Sequence, residues 1–137
     1  MPPPDPRPEL IPCRIAACFE SLDDGLSWSF YLINDSPEPF EEIVLYALDY
    51  EWGGAGNYSE VNIHIPNLAP NAHTLISRQD DECEELRISL FLRLKTDGRD
   101  VRFYCEFPKL RRYIDHSQEV SGLGKIGVES FPPVPMI

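Results

Sequence analysis

Several side chains in this sequence are equipped for chemistry, and each kind needs a particular neighbourhood. Cys13, Cys18, Cys83 and Cys105, with His64, His73 and His116, supply the parts of a nucleophile held against a base. Such a unit also needs a third group to orient the base, and no spacing here selects one. The same residue types bind zinc, but there is no Cys-x-x-Cys pair and no histidine at ligand spacing. Neither a metal nor another cofactor is expected. Carboxylates that could share acid–base work occur at Asp23-Asp24 and among Asp80, Asp81, Glu82, Glu84 and Glu85. Both groups lie in turn-rich segments, where acids are solvated. The stretch Gly53-Gly54-Ala55-Gly56 has the composition of a phosphate cradle, but lacks the helix and the Lys-Ser or Lys-Thr end of a P-loop. No catalytic residue is assigned, and the chain is not expected to be an enzyme.

The charge layout points elsewhere. From Ile15 to Ser77 there is no Lys or Arg against ten acids, whereas Leu86 to Arg112 holds eight of the twelve bases. Neighbouring strands from the two halves would neutralise each other; otherwise an acidic or a basic face is offered to a partner. The net charge of −11 repels nucleic acid and anionic membrane at long range, so neither is an expected partner. With 42% hydrophobic and 11% aromatic residues, this is not the composition of a disordered acidic tail.

The elements that must position these residues read as strands. A length of 137 residues suits one domain. Six prolines in the first twelve residues make 1–12 an irregular arm, and there is no apolar signal-peptide core or membrane span, so a cytoplasmic setting with reduced thiols is expected. In Ser27 to Ile33 the alternation puts Trp28, Phe30 and Leu32 on one face. Val61, Ile63 and Ile65 alternate similarly, with Pro66 and Pro70 expected to end that strand. The clearest pair is Leu86 to Lys95 and Val101 to Phe107, joined at Asp97-Gly98, a sequence suited to a type I′ hairpin turn. That turn pairs Leu94 with Val101, Leu92 with Phe103, Leu90 with Cys105 and Ile88 with Phe107. A slip of one residue would set Leu against the outward Arg and Tyr set. The expected fold is all-β: an antiparallel two-layer β-sandwich of about seven strands over 13–108, with a C-terminal extension at 109–137.

The stretch Ile65-Pro-Asn-Leu-Ala-Pro70, a strand end followed by a turn and a new strand at His73 to Ser77, resembles a linker of immunoglobulin-like and fibronectin-III-like sandwich modules. Phe30-Tyr-Leu-Ile-Asn-Asp-Ser36 resembles part of a sandwich module found beside Smr nuclease-like domains in some bacterial proteins. The first resemblance implies an immunoglobulin-like fold over about 13–107, and neither implies an activity, since such sandwiches host many functions. Cys18 and Cys105 lack the Trp spacing of true immunoglobulin domains.

The function expected is that of a non-catalytic accessory or adaptor module that binds another protein, or a second copy, through a sheet face, a sheet edge or a terminal arm. The alternatives are a structural subunit of a larger assembly, such as a virion or secretion machine, and an unrecognised enzyme. Two sets of residues are candidates for binding. The hairpin register sets Arg93 opposite Arg102, and this repulsion needs a counter-charge. Asp100 is the nearest internal source, with Tyr104 available to stack on a guanidinium, and a partner's carboxylates are the external one. The face so defined is Arg87, Phe91, Arg93, Arg102 and Tyr104. The second set is Phe131, Val134, Met136 and Ile137, apolar residues in a segment too rich in proline for a strand centre and suited to a docking arm.

Overall fold

A computed structural model describes residues 11–22, 25–52, 55–80, 86–111 and 117–136. The turn at Asp23-Asp24, Gly53-Gly54, the acids 81–85, Cys83, His116 and the arm before Ile11 lie outside the described residues.

The strands are β1 (Cys13–Leu22), β2 (Gly25–Asn34), β3 (Phe40–Trp52), β4 (Ala55–Leu68), β5 (His73–Asp80), β6 (Arg87–Thr96), β7 (Arg99–Phe107), β8 (Gln118–Val120), β9 (Lys125–Glu129) and β10 (Val134–Met136). They form two antiparallel five-stranded sheets, β5-β2-β1-β9-β8 and β10-β7-β6-β3-β4. No helix among the described residues is long and apolar enough to cross a membrane.

The sheets pack through the residues that alternation selects. Ile15, Ala17, Trp28, Phe30, Leu32 and Ile76 of the first sheet meet Ile43, Leu45, Ile88, Leu90, Leu92, Phe103 and Phe107 of the second, all essentially without exposure. Phe30 meets Phe107 edge-on with centroids 5.2 Å apart, a favoured aromatic geometry that links the two layers.

The β6–β7 hairpin has the register its sequence specifies, from Thr96↔Arg99 to Ile88↔Phe107. Asp97 and Gly98 have φ of 49° and 72°, as a type I′ turn requires. Gly98→Val is expected to lower stability by about 1–2 kcal/mol, because a β-branched residue resists positive φ. A urea midpoint shifted down at unchanged slope would report this, and an unshifted midpoint would contradict it.

Among the described residues there are ten strands, three of them within 109–137. Their shortness hides them: β8 and β10 have three residues each, too few to show an alternation. Two prolines lie inside strands. Pro66 is in β4 and Pro135 in β10, and both strands are sheet edges, where a missing N–H can face solvent. The chain crosses between the sheets in one step: Ser130 N–H donates to Ile15 C=O in the first sheet and Phe131 N–H to Glu106 C=O in the second.

The outer face of the first sheet is covered. Ala16, Cys18, Tyr31 and Ile33 face away from the sandwich core, yet form a second buried cluster with Val120 and Leu123 of the β8–β9 hairpin. Gly127 permits this approach, because a Cβ there would stand 2.6 Å from Ala17 O and 2.8 Å from Cys18 Sγ. Polar contacts hold the hairpin down. Arg14 donates to both carboxylate oxygens of Asp35 at 2.6 and 2.9 Å, to Glu129 at 3.1 Å and to Ser121 C=O at 2.8 Å. Glu20 accepts from Tyr31 at 2.7 Å and from Lys125 at 3.2 Å. Desolvation pushes the Glu20 carboxyl upward, but these donors outweigh it and hold the group below its ordinary value.

Candidate functional site

Among the described residues, nothing covers the outer face of the second sheet in this way. Phe91 of β6 sits at its centre, ringed by three tyrosines: Tyr104 at 5.7 Å between centroids, Tyr58 at 6.0 Å and Tyr46 at 6.3 Å. Each comes from a different strand. Tyr104 is the cross-strand partner of Phe91 on β7. Tyr58 belongs to edge strand β4 and is 56% exposed. Tyr46 stands at a β-bulge, where the register of β3 shifts against both β4 and β6. A bulge re-aims a side chain, and the Tyr46 hydroxyl lies 3.5 Å from Met136 Sδ on β10.

Beside the aromatic cluster is a groove of about 210 Å3 lined by Val44, Tyr46, Arg93 and Arg102. Arg93 and Arg102 are opposite each other, as the sequence register requires. The internal counter-charge for Arg93 is Glu42 of β3, at 3.3 Å, with His64 of β4 at 3.2 Å from the same carboxylate oxygen. Asp100 instead stands opposite Lys95 in the backbone register of the hairpin, and Tyr104 packs on Phe91. One carboxylate thus serves Arg93 and His64, while Arg102 is exposed and has no ion-pair partner among the described residues. Adjacency of β3 and β6 also sets Glu51 opposite Arg87. The acidic and basic halves of the sequence therefore do meet within this sheet, but the neutralisation stops short of Arg102.

Of the first candidate set, Phe91, Arg93, Arg102 and Tyr104 come together, while Arg87 lies at the far end of the same face beside Glu51. The second set divides. Val134 pairs with Tyr104 and Met136 with Arg102, so both extend this same face. Phe131 is 49% exposed at the crossing between sheets, by a separate groove with Arg14, Glu129 and Pro132. Ile137 lies outside the described residues. The expected docking arm is seated on its own sheet as β10, which a three-residue edge strand with one outward imide nitrogen allows.

Sequence reasoning missed Val44, Tyr46, Tyr58 and Glu42. Alternation along β3 signals Glu42, Val44 and Tyr46 as one outward row, but placing that row beside β6 needs the strand order.

Among the described residues, the thiols are buried and the two imidazoles have other partners. Burial pushes the Cys18 thiol up to about 11 and Cys105 up to about 12, and Cys13 well above its ordinary value, which makes each a poor nucleophile. His64 is engaged with Glu42, and His73 packs edge-on against Tyr31. Among the described residues, no three His, Cys, Asp or Glu side chains gather as a metal site.

No protein-family model matches this chain, and no significant relative is found among curated proteins.

Proposed function

We propose that the chain is a non-catalytic adaptor module that binds an acidic segment of another protein on the outer face of the β10-β7-β6-β3-β4 sheet. One observation carries the reading: the β8–β9 hairpin covers one outer sheet face, whereas the other, uncovered among the described residues, carries four packed aromatic rings beside two facing arginines. Aromatic and arginine side chains are the types enriched at the anchoring positions of protein interfaces. Arg102, without an ion-pair partner among the described residues, presents a planar fork that matches a carboxylate, and Val44 and Tyr46 give the groove apolar walls.

An immunoglobulin-like identity for the module is part of this reading. It is supported by strand order: with β1, β2, β3, β5, β6 and β7 as strands A, B, C, E, F and G, the neighbours A-B-E and G-F-C of that fold are reproduced. A cytoplasmic setting fits the three buried free thiols.

The test compares proteins retained from a lysate by the wild-type chain, Arg102→Glu and Arg78→Glu, the last an exposed base of β5 in the other sheet. The expected result is a protein held by wild type and Arg78→Glu, lost with Arg102→Glu and eluted by salt, since exposed charge pairs are screened. Retention indifferent to Arg102 and to salt would contradict the reading.

A further inference from the structure

Each sheet of an open sandwich has two edges, and an unprotected edge is a template for another strand. Three of the four edges here are blunted. β8 is three residues long, and β10 is three residues long with Pro135 at its centre. β5 carries the exposed cation Arg78, besides an extra residue, Ile76, where its register against β2 shifts between Phe30 and Tyr31. β4 is different. It runs for fourteen residues, carries no Lys or Arg, and has no proline before Pro66. It too carries an extra residue, since Val61 and Asn62 stand opposite Tyr46 alone, yet exposed and half-buried positions alternate unbroken from Tyr58 to Ile65.

We infer that β4 is a pairing edge through which two copies of this chain associate antiparallel, with the two-fold axis at Asn62. The sequence of the strand complements its own reverse about that point. Glu60 of one copy falls opposite His64 of the other, Val61 opposite Ile63, and the exposed ring of Tyr58 opposite Pro66. Outward residues thus meet outward residues, and the half-buried Val61 and Ile63 extend the inner layer of both sandwiches. Moving the centre to Val61 sets Glu60 against Asn62, and moving it to Ile63 sets Glu60 against Pro66, so neighbouring registers lose the Glu60–His64 match. Glu60 has no hydrogen-bond or ion-pair partner among the described residues, while His64 lies 3.2 Å from Glu42. The second copy therefore extends the series Arg93, Glu42, His64 by one carboxylate. A single strand pair buries less than a stable dimer needs, so the association is weak, with a dissociation constant on the order of 100 µM.

Sedimentation equilibrium on the full chain tests this, together with oxidative cross-linking in a Cys83→Ser background. Wild type is expected to approach twice the monomer mass as its concentration rises, and Asn62→Lys, which sets two cations face to face at an exposed position, to remain monomeric. Asn62→Cys should cross-link to itself. Glu60→Cys and His64→Cys should not do so singly, but a mixture of the two should. A chain that stays monomeric to about 1 mM overturns the inference, as does a dimer indifferent to Asn62→Lys, or cross-linking of Glu60→Cys alone in place of Asn62→Cys. Arg102→Glu should leave the dimer intact. A dimer lost with Arg102→Glu and kept with Asn62→Lys would place the contact on the sheet face and also overturn the inference.

Discussion

Replacing Asn34 by alanine is expected to lower the unfolding free energy by about 3 kcal/mol, the largest loss we foresee for a single polar side chain here. Asn34 is wholly buried at the end of β2. Its Nδ2 donates to the carbonyls of Glu38 at 3.0 Å, Leu68 at 3.1 Å and Ala69 at 3.2 Å, and its Oδ1 accepts the Ser36 N–H at 2.8 Å. Two N–H groups serve three acceptors, so one bond is shared. The backbone of Asn34 adds bonds to Ala72 C=O and from Asn71 N–H. The side chain thus fastens the β2–β3 loop to the turn between β4 and β5, and truncation leaves several buried groups without partners. Asn34→Asp sharpens the test. A carboxylate facing three carbonyls has its pKa raised above the unfolded value, so the stability it retains is present below that value and lost as pH rises through the folded one. Urea midpoints should show Asn34→Asp recovering part of its deficit on going from about pH 7 to about pH 4. A deficit of only a few tenths of a kcal/mol for Asn34→Ala, or no acid recovery for Asn34→Asp, would show that these bonds do not carry the junction.

Gly127→Ala is expected to open the cover on the first sheet. The added Cβ meets Ala17 O at 2.6 Å, a backbone atom that cannot swing aside, and Cys18 Sγ at 2.8 Å. Overpacking of this kind costs about 1–3 kcal/mol. Only Ala16↔Glu129 and Ala17↔Val128 pair β9 with β1, so the strain is relieved by lifting the β8–β9 hairpin instead of unfolding the core. Cys18 is the reporter. It is 1% exposed beneath the hairpin, and burial raises its thiol to about 11. In a Cys83→Ser background, its reaction with a thiol reagent should accelerate by about tenfold or more, the equivalent of about 1.4 kcal/mol of local opening. An unchanged rate would mean that the hairpin does not seal this face.

How far the sequence could be read depended on where each piece of information resides. The β6–β7 pairing was legible because a two-residue turn and two alternating runs fix the register locally. Trp28, Phe30 and Leu32 were legible for the same reason. The turn at Leu68-Ala69-Pro70 was visible as a motif, but its grip by Asn34 spans 34 residues of sequence and leaves no local trace. Strands β8 and β10 were hidden by their length, and β10 and the end of β4 also by prolines that only an edge position permits. At the candidate site, Phe91, Arg93, Arg102 and Tyr104 followed from the hairpin alone. Tyr46, Tyr58 and Glu42 arrive from strands whose order and bulge are set by packing, which is why Asp100 was expected where Glu42 stands.

The proposal that the outer face of the β10-β7-β6-β3-β4 sheet is the partner-binding surface is tested most directly by photo-cross-linking in cells. The cross-linking residue replaces Tyr104, within the aromatic cluster, or Ile126, which is 65% exposed on the hairpin over the opposite sheet. A discrete adduct with another protein from position 104, absent from position 126 and abolished by Arg102→Glu, is the expected result. Equal or absent adducts from the two positions, or an adduct from position 104 that survives Arg102→Glu, would contradict it.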